Sequence, residues 1–191
     1  SWGSSEYVLV TPVSILDNST VRSKIDPSNL IERLRQFPKY CSQAWDLSQD
    51  IYLPPEYSDV TNIVISGMGG SSIGGDLLSD LASMEPSKPF HIHRTYDLPT
   101  YADESSLIIA ISYSGNTAET ISGFRRAIER NAKLVVITSG GILAEEARTA
   151  DIPILSFDFT GEPRSALGYS FIGPLGILVR LGLLSDKNPD L

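Results

Sequence analysis

Cysteine occurs once in these 191 residues, at Cys41. A lone thiol closes no intrachain disulfide and offers no paired spacing for a thiolate zinc site. Neither staple is needed at this length, because such a domain buries roughly 70% of the surface its unfolded chain exposes. Positive charge is scarce too: 15 basic residues stand against 23 acidic ones, a formal charge of −8. That balance argues against a nucleic-acid surface or a polybasic membrane patch, both of which need a basic footprint. It leaves room for a small anion held by backbone dipoles. Long apolar runs are also missing. Stretches such as Leu107–Ile111 and Leu134–Ile137 are far too short to cross a bilayer. No charged-then-apolar signal pattern opens the sequence. A soluble, cytoplasmic α/β protein is the expectation.

What the sequence does have is alternation. Residues 1–23 are polar and weakly patterned, an N-terminal arm with a β-like piece at Tyr7–Val10. Asp26 then suits a helix N-cap and Pro27 the first helical position, with Leu30, Ile31, Leu34 and Phe37 at helical spacing. Pro38 marks a kink or interruption, and the spacing resumes through Tyr40, Ala44 and Leu47. Strands are predicted over Asn62–Ser66, Phe90–Thr95, Ser106–Ser112, Lys133–Thr138 and Ile152–Phe157. Helices are predicted between and after them, over Ile73–Met84, Ala118–Asn131, Ile142–Thr149 and Ser170–Leu184. Ser106–Ser112 is continuously apolar, the mark of a strand buried on both faces. Ser170–Leu184 is apolar nearly all round, with Arg180 as its only charge, so it should be buried on more than one side. Strands alternating with helices imply parallel pairing by right-handed crossovers. The fold class is therefore α/β, a three-layer sandwich with a five-stranded parallel sheet flanked by helices.

Ligands of open parallel sheets bind at the carboxyl ends of the strands, which directs attention to three segments. The first runs from Gly67 to Asp76 as GMGGSSIGGD. Its glycines let a backbone approach a ligand, and Gly70, Ser71 and Ser72 stand where the next helix offers N–H groups. A dinucleotide fingerprint fails here, because the third glycine would fall on Ser72. No Gly-Lys-Ser/Thr follows, which excludes a nucleotide P-loop. The second segment, Ser112-Tyr113-Ser114-Gly115-Asn116-Thr117, gathers hydroxyls and a glycine at a strand-to-helix turn. It suits a phosphate ester, the plainer reading being that Thr117 or Asn116 merely caps the helix. The third, Gly161–Phe171, carries Arg164 in a proline-fixed loop. A permanent cation there could stabilise negative charge in a ligand or intermediate, or simply pair with Glu162.

Taken together, GMGGSSIGGDL at Gly67–Leu77, SYSGNT at Ser112–Thr117 and PRSALGYSF at Pro163–Phe171 resemble the N-terminal half of the bifunctional phosphoglucose/phosphomannose isomerase family. Ser139-Gly140-Gly141 fits the same pattern. Each motif alone would indicate only the broader sugar isomerase (SIS) domain superfamily, whose sheet is five-stranded, parallel and flavodoxin-like. The resemblance implies that Gly70, Ser71, Ser72, Ser112, Ser114 and Thr117 hold a sugar phosphate. Arg164 would stabilise the enediolate formed as a proton moves between C1 and C2. The substrates implied are glucose 6-phosphate, mannose 6-phosphate and fructose 6-phosphate, with no cofactor and no metal. The domain would span residues 24–185, and 186–191 would begin a linker to a second domain.

Members of that family keep a catalytic glutamate, a ring-opening histidine and a lysine in their second half. No general base is identified here, since Asp76 and Glu119 read as helix-terminal or surface charges. A stand-alone phosphosugar sensor without chemistry is the alternative. His91 and His93 alternate on one strand without a third ligand, which speaks against a metal. The apolar last helix, exposed where a second domain would cover it, suggests a homodimer.

Overall fold

The computed structural model describes residues 18–186. The β-like piece expected at 7–10, the arm up to residue 17 and the linker residues from 187 onward lie outside them.

The chain divides into two compact units between Arg35 and Gln36. The first contains two short helices, α1 (Ser19–Ile25) and α2 (Leu30–Arg35). Asn18 Oδ1 accepts the N–H groups of Thr20 and Val21 at 3.0 and 3.3 Å and so starts α1. Asp26 does cap a helix, but from four residues upstream of it. Its carboxylate accepts the N–H groups of Leu30 and Ile31 at 2.8 and 2.9 Å, across a turn in which Asn29 adopts φ +58°. Those two bonds, Ile31 foremost, hold the Asp26 carboxyl below the usual range.

The second unit begins with α3 (Phe37–Asp50), which carries Pro38 in its first turn; the interruption expected there falls just before it, at Gln36 after the end of α2. A missing N–H costs nothing in the first turn. There follow β1 (Asn62–Gly67), α4 (Gly70–Ala82), β2 (Phe90–His93), β3 (Ser106–Ser112) and α5 (Ala118–Glu129). Then come β4 (Lys133–Thr138), α6 (Gly141–Thr149), β5 (Ile154–Ser156) and α7 (Leu167–Arg180). All pairings are parallel and the strand order is β2-β1-β3-β4-β5. This is the expected five-stranded sheet. Its order reverses between β1 and β3, and in open α/β sheets that is where a crevice forms above the strand ends.

Period-two side chains split the core in two. Ile63, Ile65, Leu107, Ile109 and Ile137 face the layer of α3, α4 and α7, whereas Val64, Ile108, Ala110 and Val136 face α5 and α6. β3 is buried along its whole length, as its continuous apolar run requires.

The element ends depart from expectation for identifiable reasons. α4 starts at Gly70, three residues before the predicted Ile73, although glycines are poor helix formers. Two of those glycines are required by packing. A β-carbon on Gly74 would lie 2.3 Å from the Ser170 carbonyl oxygen, and one on Gly75 would lie 3.1 Å from Ile65 Cγ2. β2 ends at His93 because Arg94 turns away to contact α4. β5 is shorter than Ile152–Phe157. α7 is buried on more than one side, as expected, but its cover is α3 and α4 of the same chain. The argument for a homodimer from an exposed α7 therefore falls. The helix stops at Arg180 because Gly182, at φ +68°, closes it, with the N–H groups of Gly182 and Leu183 bonded to Val179 and Leu178 carbonyls. Arg180 donates to the carbonyls of Ser48 and Ile51 at the end of α3.

Candidate functional site

The turn from β3 into α5 is built from hydroxyls bonded to one another. Ser112 Oγ lies 2.8 Å from Thr117 Oγ1 and accepts the Gly115 N–H at 3.1 Å. Ser114 Oγ accepts the Asn116 N–H at 3.2 Å, and its side chain is exposed. Thr117 occupies the N-cap position of α5, yet makes no side-chain cap bond. The plainer reading, in which this residue exists to cap its helix, does not describe the geometry. Asn116 does cap a helix, but the next one: its Oδ1 accepts the Ile142 N–H at 3.1 Å, while the Gly115 carbonyl accepts the Leu143 N–H at 2.9 Å. The first turn of α6 is thus bound by the loop before α5. Neither the N-cap residue of α5 nor that of α4 makes a side-chain cap bond. Such helix starts favour an anion.

Two glycines fix this loop. Gly115 and Gly141 have φ +68° and +70°, and a β-carbon on Gly141 would meet the Ser114 carbonyl oxygen at 2.4 Å. Ser139 Oγ donates to the Tyr113 carbonyl at 2.6 Å. The Tyr113 hydroxyl in turn donates to the Phe159 carbonyl at 2.8 Å. Sequence reasoning gave Tyr113 no role, yet it ties the β3 exit to the segment leading toward Arg164. Its ring joins Tyr40, Phe157, Phe159 and Tyr169 in an aromatic cluster, with Phe157 stacked on Tyr169 at 4.4 Å.

The other two segments meet at backbone distance. A β-carbon on Gly70 would lie 3.1 Å from the Arg164 nitrogen and 3.2 Å from its Cα, so only glycine lets the start of α4 approach the arginine loop. Arg164 follows Pro163 in a short 3-10 turn, and its side chain is exposed. The neighbouring Glu162 carboxylate accepts from Ser165 Oγ at 3.4 Å. A β-carbon on Gly67 would lie 3.0 Å from the Ile111 carbonyl oxygen and 3.6 Å from Ser71, so the first two segments approach closely across β1 and β3. Ser71 and Ser72 are buried. Ser72 Oγ is committed internally, donating to the Gly69 carbonyl at 2.9 Å and accepting from Arg94 Nε at 3.2 Å. Arg94 carries no role in the sequence reading, which puts it inside a strand over Phe90–Thr95; the strand ends at His93, and Arg94 is the first residue beyond it.

A cavity of 530 Å³ opens along α5, lined by Tyr96, Asn116, Ile121, Arg125, Arg126 and Ile142 among others. Its cations are already engaged, Arg125 by Glu146 and Arg126 by Asp97 and Glu129. It is therefore a poorer anion site than the strand-exit crevice. His91 and His93 have ring centroids 5.9 Å apart. Burial, with the charges of His93 and Arg94 behind it, lowers the His91 pKa. Among the described residues no three of His, Cys, Asp and Glu group closely enough to hold a metal ion. Nor is any helix among them long and apolar enough to cross a membrane.

Residues 56–156, more than half of the chain, match the family described as the SIS domain. The chain belongs to the SIS domain family. Over 162 residues this SIS domain is 38% identical to the bifunctional phosphoglucose/phosphomannose isomerase of Caldicellulosiruptor bescii, covering 85% of the chain and 48% of that protein. The likeness expected from the three motifs thus holds. The domain is also 35% identical over 145 residues to the D-glucosamine-6-phosphate 4-epimerase of Sulfolobus acidocaldarius, covering 75% of the chain and 43% of that protein. Among solved structures, the tagatose-6-phosphate ketose/aldose isomerase of Escherichia coli superposes with a TM-score of 0.63 at 20% identity. That match covers 83% of this chain and 49% of the other, and it shows a shared fold. The SIS domain described here spans about half the length of the curated relatives it matches.

Proposed function

We propose that this SIS domain is the phosphosugar-binding half of an aldose–ketose isomerase interconverting glucose 6-phosphate or mannose 6-phosphate with fructose 6-phosphate. The observation that carries the reading is the start of α5. Its N-cap residue makes no side-chain cap bond and three hydroxyls gather beside it, while Arg164 sits on the loop whose backbone approaches Gly70. A phosphate oxygen bound there would accept N–H and O–H groups at a positive helix end. The names of the relatives support the substrate class, since phosphosugars recur among them.

In the proposed reaction a base removes the C2 proton of the open-chain aldose. The C2–H electron pair becomes the C1=C2 bond and the carbonyl electrons move to O1. Return of a proton to C1, with the O2 proton lost and a proton delivered to O1, then gives the ketose. Arg164 would face the charge that develops on the enediolate oxygens. The base is assigned to a second half, because Asp76 is paired with Arg94 and Glu119 lies in the first turn of α5. The proposal extends to a cytoplasmic homodimer working in glycolysis and gluconeogenesis. Exposed Ile73, Leu77 and Met84 on or beside α4 supply apolar surface for such association.

Calorimetric titration of the 191-residue chain with glucose 6-phosphate and fructose 6-phosphate tests the binding half, with weak binding and no turnover in a coupled assay as the expected result. Failure to bind either ester would overturn the reading, and robust turnover by this chain alone would remove the need for a second half. Because no general base is identified among the described residues of this chain, a phosphosugar sensor is the second reading. It gains if a protein carrying both halves binds the ester without isomerising it.

A further inference from the structure

Arg94 leaves the sheet immediately after β2 and turns across the first two turns of α4. Its Nε donates to Ser72 Oγ in the first turn, at 3.2 Å, and Nη2 pairs with the Asp76 carboxylate in the second. Ser72 Oγ donates in turn to the Gly69 carbonyl, so the guanidinium is linked through one hydroxyl to the glycine turn that opens the crevice. Asp76 follows Gly70 by six residues, which places it about 9 Å along the helix axis from the start of α4. Left alone, that carboxylate would oppose any anion bound at the helix start and cancel part of the helix dipole. A unit charge at that distance acts within about one Debye length at 0.1 M salt.

We propose that Arg94 is a positioning residue of the phosphosugar site: it braces the glycine turn through Ser72 and neutralises Asp76, so that the start of α4 can face the bound phosphosugar without a repelling charge. This rests on the reading that a sugar phosphate binds at the exits of β1 and β3. The role belongs to the pair. Arg94 reaches the ligand through Ser72 and through the charge it cancels.

The test is a set of calorimetric titrations of the full 191-residue chain with glucose 6-phosphate, at about 20 mM and about 500 mM salt, where the Debye length falls from roughly 20 Å to a few ångströms. Arg94→Met should weaken binding about 3- to 10-fold at low salt, as expected for a dianion meeting one uncompensated charge in a watery environment. The defect should shrink at high salt. Asp76→Asn should bind at least as tightly as the parent. Arg94→Met/Asp76→Asn should regain most of the lost affinity, a rescue that loss of packing alone would not produce. Arg94→Lys should keep the charge but only part of the brace, and fall between parent and Arg94→Met. A double variant as weak as Arg94→Met at both salts would overturn the proposal, as would an Arg94→Met protein with parental affinity. If the parent binds no sugar phosphate, the site reading itself fails and this inference falls with it. A parent that binds while the rescue is absent sinks the inference alone.

Discussion

Gly115 and Gly140 are pressed together so closely that a β-carbon on Gly115 would lie 1.7 Å from the Gly140 carbonyl oxygen. Gly115 is also held at φ +68°, where any other L residue is strained. Gly115→Ala should therefore cost at least about 2 kcal/mol, a loss of roughly 4–8 °C in Tm for a chain of this size. Differential scanning calorimetry checks this. An unchanged Tm would mean that the two loops separate freely and do not fix each other.

The hydroxyl cluster makes a separate prediction about binding. Ser114→Ala/Thr117→Ala removes two neutral hydrogen-bonding groups, each worth about 0.5–1.5 kcal/mol net. Affinity for a sugar phosphate should fall by roughly 5- to 150-fold with the fold intact by circular dichroism. Thr117 is the more informative of the two, since its hydroxyl also holds Ser112. Parental affinity in the double variant would confine these hydroxyls to shaping the turn.

Arg164 should divide kinetic constants in a protein that turns substrate over. A group that meets charge only as the enediolate develops lowers kcat when removed, by about 100- to 1000-fold for an oxyanion donor of ordinary strength. Arg164→Ala is expected to do so with little change in KM. Arg164→Lys should recover only part, because an ammonium does not reproduce the planar fork. Normal kcat with raised KM would place Arg164 among the phosphate contacts.

Acid should weaken the layer of α5 and α6. Arg126 holds the Asp97 carboxyl below the usual carboxylate range, and Arg125 does the same for Glu146. A depressed folded-state pKa contributes stability above the unfolded value, near 4, and that contribution is lost as pH falls through the folded value. Tm should be level from about pH 7 to 5 and decline below about pH 4. Asp97→Asn/Glu146→Gln should lower Tm at neutral pH and flatten the acid limb. An acid limb identical to the parent's would assign it to other carboxylates.

The sheet was legible because its signals are local. Ser106–Ser112 and Lys133–Thr138 are apolar runs whose composition alone demands burial, and both occur where expected. The start of α4 was not, because Gly70, which precedes the expected Ile73, opens the helix in spite of its own propensity. What packs against it is the backbone of Pro163 and Arg164, which belongs to a distant part of the chain. The site divides the same way. Ser112, Ser114 and Thr117 could be read from one hexapeptide, whereas the use of Asn116 by α6 and the reach of Arg94 to Ser72 appear only once neighbouring strands are paired. Likewise the apolar surface of α7 was visible in the sequence, but not that α3 and α4 would cover it.

The two borders of the sheet have a consequence for how copies of this chain can meet. β2 offers four residues and β5 only three, the latter preceded by Pro153, which lacks a donor. Borders this short present few free backbone groups for another chain to pair with, so the sheet is a poor template for its own extension. Strand-by-strand growth into ribbons or fibres is disfavoured at both ends. Contact between folded copies is left to helix surfaces, and the crevice between β1 and β3 stays clear of either border.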